Sequence, residues 1–212
     1  MTLPGFDAAF REQLDLLLRW RRDVRHFRRD PLPEGTLEAL VERACLAPSV
    51  GNSQPWRFVA VDSPGCRAAI RAEFEECNAA ALAAQPEERQ AAYAALKLAG
   101  LQEAPVHLAV FCDEQTRTGH GLGRATMPET LRASAMGAVL TLWLAARARG
   151  IGVGWVSILR AGRVAAILDV PGSWALTAYL CLGYPEREEE TPELDRRGWQ
   201  GRDPEAGRIL RR

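Results

Sequence analysis

The sequence predicts a single α+β domain in which helices dominate around a small sheet of about four strands. Three observations predict it. The chain has 212 residues, 47% apolar and 25% charged, which suits one globular unit with a sizeable core. Segments of helical period alternate irregularly with four short apolar runs, at residues 56–61, 106–112, 151–158 and 174–182, that read as strands. No dinucleotide fingerprint of a parallel βαβ unit is present. In Gly150-Ile151-Gly152-Val153-Gly154 the third glycine is misplaced and no downstream acid follows.

Residues 6–22 set Phe6, Phe10, Leu14 and Leu17 on one helical face. Residues 34–47 do the same with Leu37, Leu40, Val41 and Ala44, and Pro48 stops them. A loop dense in turn residues, Pro48 to Gln54-Pro55-Trp56, leads into the first strand. Residues 66–84 and 86–102 read as two helices, and residues 113–130, after the second strand, as an irregular loop. Residues 133–149 are apolar on nearly all sides, the mark of a helix buried in a core or at a subunit interface. The glycines of residues 151–158 suit a strand that something approaches closely. A short helix is expected at 161–168. From Pro185 onward the chain is polar, with Trp199 its only aromatic; an arm over 185–212 is expected to wrap over another surface, such as a partner subunit.

Composition excludes several classes of function. Lys plus Arg and Asp plus Glu number 27 each, so no basic field attracts nucleic acid. The five cysteines (45, 66, 77, 112, 181) are scattered without a C-x-x-C pair, which argues against disulfides or structural zinc and fits a cytoplasmic protein. The first twenty residues carry charges throughout and no signal-peptide core. The longest uncharged helical window, 133–146, is too short to span a membrane. His26, His107 and His120 have no metal-ligand spacing, so no metal is expected. Gly154-Trp155-Val156-Ser157-Ile158 lacks the closing glycine of a nucleophile elbow. Gly119 to Gly123 lacks the Lys and Ser/Thr of a phosphate-binding loop.

What remains is Arg21-Arg22-Asp23-Val24-Arg25, three guanidinium groups around one carboxylate. Arginine's rigid fork of donors suits a phosphate. The same run also reads as a solvated basic helix end. Arg21 and Arg25 share a face if they lie on one helical turn. His26-Phe27 follows at the edge of the next loop. Together with the hydroxyls and amides of residues 48–56, the glycine-spaced strand ending at Ser157 and the late Arg202, the cluster offers parts for a phosphate, a polar chain and a flat ring. Flavin mononucleotide (FMN) fits that set as well as any ligand.

Several motifs resemble the nitroreductase-like flavoproteins: the arginine stretch, the loop from Ala47-Pro48-Ser49 to Gln54-Pro55-Trp56, and the block from Leu142-Trp143-Leu144 to Gly152-Val153-Gly154-Trp155. Asp23 within the cluster, Ser157, Leu180-Cys181-Leu182-Gly183, Pro192-Glu193-Leu194, Gly198-Trp199 and Arg202 resemble more closely the family's flavin-fragmenting branch, the 5,6-dimethylbenzimidazole synthases. The resemblance runs from about Leu14 to Pro204. It implies a nitroreductase-like α+β fold, with a small, mostly antiparallel sheet flanked by helices, and a homodimer with swapped terminal segments. It also implies a helical cap over roughly 66–102 and two flavin sites at the subunit interface. The implied reaction converts reduced FMN and dioxygen to 5,6-dimethylbenzimidazole, the lower ligand of cobalamin, with release of erythrose 4-phosphate. NAD(P)H would enter only through a separate flavin reductase that supplies the reduced flavin. A conventional NAD(P)H- and FMN-dependent nitro or quinone reductase is the second reading, favoured by the polar Asn52-Ser53 pair.

Carried over by position, the resemblance assigns Arg21, Arg22, Asp23, Val24 and Arg25 to the flavin phosphate and ring edge, and Ser49 to a contact from the partner chain. It assigns Arg89 and Leu98 to a cover over the flavin, Ser157 to the ring and Arg202 to the phosphate. Asp23 is the only carboxylate in the motif; flanking arginines are expected to keep it ionised, hence a base, or else it is an ion pair that orients Arg22 or Arg25. Ser157 would relay or orient a proton, or simply be a polar strand residue bonded to backbone. Arg89 also reads as part of a solvated helix face.

Overall fold

The computed structural model describes residues 5–212. Four strands form one sheet in the order β1 (Trp56–Ala60), β2 (Val106–Asp113), β4 (Trp174–Gly183), β3 (Gly152–Val156), and every neighbouring pair is antiparallel. Alternation along β2 feeds two cores. Leu108, Val110 and Cys112 face one layer, while Ala109 and Phe111 face the other.

The first core is built on α5 (Thr130–Arg147), which lays Ala135, Ala138, Val139, Leu142 and Ala146 on the sheet, with α2 (Thr36–Ala44) adding Leu40 and Ala44. α5 is the all-round apolar helix of the sequence, and its Leu140 remains half exposed. On the opposite face α3 (Pro64–Ala83) and α6 (Ala161–Ile167) pack Ile70 and Val164 against Phe111 and Tyr179.

α1 (Ala8–Trp20) begins where the Asp7 carboxylate accepts the Phe10 N–H at 2.8 Å, a side-chain cap. It buries no residue, and Phe10, Leu14, Leu16 and Leu18 remain exposed. An apolar groove of about 530 Å³ runs along it, lined by Phe10, Leu14, Leu17 and Trp20.

α4 (Glu87–Ala94) stops well short of the helix expected over 86–102. The residues beyond it leave the helix because other parts of the chain claim them: Arg25 donates to the Lys97 carbonyl at 3.4 Å, and the Phe27 ring lies where any side chain at Gly100 would stand. Tertiary contacts here outweigh helix propensity. The arm after Pro185 carries a short helix α7 (Glu193–Arg196) and a 3-10 turn (Pro204–Gly207). Among the described residues no helix is long and apolar enough to cross a membrane, and no cluster of three metal-ligating side chains forms.

Candidate active site

Past Trp20 the chain leaves the helix and runs extended, so Arg21 and Arg25 do not share a helical turn as the sequence suggested. The stretch lies against β3 instead. Asp23 makes a parallel bridge with Val153, and Val24 N–H donates to the Val153 carbonyl at 3.0 Å. Gly152 and Gly154 permit this approach, since a methyl group at either would run into Val24. The glycine spacing therefore has the meaning read from the sequence. Trp143 of α5 anchors the near end: its indole N–H donates to the Arg22 carbonyl at 3.1 Å, and the Arg21 guanidinium sits 5.0 Å above its ring. Phe27, expected at a loop edge, anchors the far end at 1% exposure. Burying such a ring is worth about 2–3 kcal/mol.

Both oxygens of Asp23 are engaged. Oδ1 accepts the Trp155 N–H and Oδ2 accepts Arg25 Nε, each at 2.9 Å. Burial raises the carboxyl's pKa above its ordinary value; Arg25, the Trp155 N–H and Arg21 pull it down without cancelling the rise. Desolvation is the largest of these effects, so the carboxylate holds a proton more readily than a free aspartate does, while the arginines oppose the rise. Its side chain still keeps 31% of its surface open.

Arg22 shows the opposite strain. Its Nη2 donates to the Arg19 carbonyl, but its buried Nε has no partner among the described residues. Its pKa is lowered by burial first, then by the charges of Arg21 and Arg202, with Glu190 opposing. Arg22, crowded by like charge and only partly offset by Glu190, presents a donor suited to an anion. Beside them opens a groove of about 300 Å³ lined by Arg22, Asp23 and Arg25 and, from the arm, Glu186, Glu193 and Arg196. Glu193 meets His26 at 3.2 Å.

Arg21, Arg22, Asp23, Val24 and Arg25 thus lie in one run along β3, while Arg202, exposed in the arm, does not line the groove. The other candidates stand elsewhere in the single chain. Ser157 follows β3, exposed, and does not line the groove. Ser49 is half-buried, its Oγ accepting the Gln54 N–H at 3.1 Å. Leu98 is half-buried in the irregular segment after α4. Arg89 is exposed, its guanidinium 5.3 Å from the Trp199 ring centre.

One cluster had no sequence signal. Glu73 on α3, its side chain 4% exposed, accepts Arg160 Nε at 2.6 Å, Arg160 Nη2 at 2.7 Å and the Arg160 backbone N–H at 3.1 Å. Arg160 holds its carboxyl far below the usual range, at about 2. A glutamate next to Glu75 and Glu76 on a helix reads as solvated. Only the fold reveals that it ties α3 to the start of α6, three residues after Ser157.

The nitroreductase family profile matches residues 18–184. A curated 5,6-dimethylbenzimidazole synthase of Rhodospirillum rubrum is 64% identical over 203 residues, covering 96% of each chain. One of Rhodobacter capsulatus is 49% identical over 196 residues, covering 92% of this chain and 95% of its own. Among solved structures, an iodotyrosine deiodinase bound to FMN and 3-iodo-L-tyrosine superposes with a TM-score of 0.72 at 24% identity, over 93% of this chain and 97% of its own.

Proposed function

The chain belongs to the nitroreductase family and has its α+β fold, and from that premise we propose that it is an enzyme making 5,6-dimethylbenzimidazole, the lower ligand of cobalamin, from FMN. The observation that carries the reading is the 64% identity over nearly the whole length of a curated synthase. In this reading reduced FMN is a substrate consumed with dioxygen, and a separate flavin reductase supplies it. Bound reduced flavin would supply the electrons for dioxygen and the ring system of the product.

The residues present fit that ligand. The unpartnered Nε of Arg22, which feels the charges of Arg21 and Arg202, suits a phosphate group. Asp23, raised in basicity by burial yet open on one side, would take a proton from the sugar chain while Trp155 N–H and Arg25 keep it in place. Val24, pressed on β3, would hold the ring edge. Ser157 would orient a proton from the exposed end of the same strand. Leu98 and Arg89 would cover the site and exclude water. Ser49 would reach it from a second copy of the chain. The uncovered apolar face of α1 supports such a homodimer, with terminal segments exchanged between protomers.

The test is aerobic product analysis. Protein mixed anaerobically with reduced FMN and then exposed to air is expected to yield a benzimidazole of the product's mass. Recovery of intact oxidised flavin alone would overturn the proposal, and steady NAD(P)H oxidation with a nitro or quinone acceptor would install the reductase reading in its place.

A further inference from the structure

Trp143 stands near the C-terminal end of α5, 7% exposed, where that helix meets the end of α1. Its indole serves two consecutive residues of the arginine run at once. The ring N–H donates to the Arg22 carbonyl at 3.1 Å, and the Arg21 guanidinium lies 5.0 Å from the ring centre. The hydrogen bond spans 121 positions of sequence, so only the fold brings these groups together.

The contacts fall where the chain changes from helix to extended backbone. The Arg21 N–H still donates to the Leu17 carbonyl at 3.0 Å, while Arg21 itself is already extended, with φ −68° and ψ 120°. The next backbone tie is Val24 N–H to the Val153 carbonyl, also at 3.0 Å. Between those two ties the indole N–H supplies the Arg22 carbonyl with its partner. Arg22 is thus held at its backbone, and it lines the groove of about 300 Å³ with a buried Nε that has no partner among the described residues. Trp143 and Arg22 also line one smaller cavity together, beside Val24 and Val153. A donor whose backbone and neighbour are fixed in advance has less freedom left to lose when a ligand arrives. Asp23, the next residue, is held by its own bonds to the Trp155 N–H and to Arg25, so its placement does not depend on the indole.

We propose that Trp143 is a positioning residue: by stacking on Arg21 and holding the Arg22 carbonyl it keeps the two guanidinium groups arranged for an anion, and it thereby sets affinity for the phosphate of the substrate rather than the rate of the chemistry at Asp23. The proposal rests on the reading of this run as the FMN phosphate site.

The experiment is a titration of FMN and of riboflavin, which lacks the phosphate, into wild-type protein and variants, followed by flavin fluorescence. Trp143→Phe keeps a ring under Arg21 and removes the N–H. It is expected to weaken FMN about fivefold and to raise KM in step, with kcat within about twofold. Replacing Trp143 by a fluorinated tryptophan keeps the shape and the N–H but draws electron density from the ring face; FMN should weaken about threefold with the core packing left as it is. Riboflavin affinity is expected to be unchanged in both. Added to Arg22→Ala, Trp143→Phe should cost FMN less than about twofold more, because the side chain it arranges is gone. Equal losses for both flavins, additive losses in the double variant, a fall in kcat with KM unchanged, or FMN bound as well or better by both Trp143 variants would each overturn the proposal. Wild-type protein that binds neither flavin would instead remove the functional reading beneath it.

Discussion

The backbone N–H of Trp155 donates to Oδ1 of Asp23 at 2.9 Å, across 132 positions of sequence. The bond fixes the carboxylate to the strand that the glycines keep open, while Arg25 takes the other oxygen. Structural tie and proposed base are thus one residue, and two kinds of measurement separate the roles.

Asp23→Asn keeps the size and one acceptor for Trp155 but removes the charge. Product formation is expected to fall by about 10²-fold or more, with FMN affinity changed far less. Because burial raises the carboxyl's pKa, wild-type turnover should also decline earlier on acidification than an ordinary aspartate would dictate. Product yield by mass, measured across pH, decides; undiminished yield in the variant rules the base out.

Gly154→Ala puts a methyl group onto the Val24 carbonyl oxygen, a backbone atom that cannot swing away. A loss of about 2–3 kcal/mol is expected, as for other overpacked sites. Gly162→Ala, in α6 with open space around it, should instead gain about 0.5–1 kcal/mol. Urea unfolding of the two variants should move in opposite directions.

His107 is 1% exposed; its Nδ1 lies 2.9 Å from the Tyr179 hydroxyl and its Nε2 has no partner. Burial, then the Arg67 charge, lowers its pKa from 6.5 to about 4. Between those values the unfolded chain binds a proton that the folded chain refuses. The stability from this group is therefore complete above pH 6.5 and shrinks as pH falls toward 4, by up to about 3 kcal/mol. The slope of unfolding free energy against pH over that window should flatten in His107→Gln. An unchanged slope would mean the ring is not the titrating group.

Arg160→Ala leaves the buried Glu73 carboxylate with the residue-160 backbone N–H and the Cys77 thiol but no cation closer than Arg163 at 3.9 Å, whereas Glu73→Gln leaves a half-exposed Arg160 that water can serve. The arginine variant should lose more of the thermal midpoint, by several degrees. Equal midpoints would show that the buried acid gains little from its partner.

Leu14→Asp charges the uncovered groove along α1 without touching either core. Sedimentation is expected to show monomer, and flavin binding to fall with it, since the site is read as shared between two copies. A dimer that persists would place the interface elsewhere.

Much of the fold was legible because burial writes itself as periodicity. β2 alternates between two cores, and the apolar length of α5 announced its central place. The proposed site was written in its arginines, and the close approach to β3 in its paired glycines, where chemistry and space restrict the choice of residue. What escaped notice depended on distant partners. Phe27 resembled a loop residue until Gly100 made room for its ring; α4 stopped early for the same reason. Glu73 resembled a surface acid until Arg160 met it, and Arg89 a solvated cation until Trp199 did. No local pattern encodes such meetings.

β3 stands last in the sheet, paired with β4 on one side only. What borders its free side is the run through Asp23 and Val24. The segment proposed to hold the substrate is also the molecule's guard against sticking to its neighbours, because an unpaired row of amides invites another chain to add itself. Any alteration that loosens this segment therefore endangers solubility along with the proposed turnover.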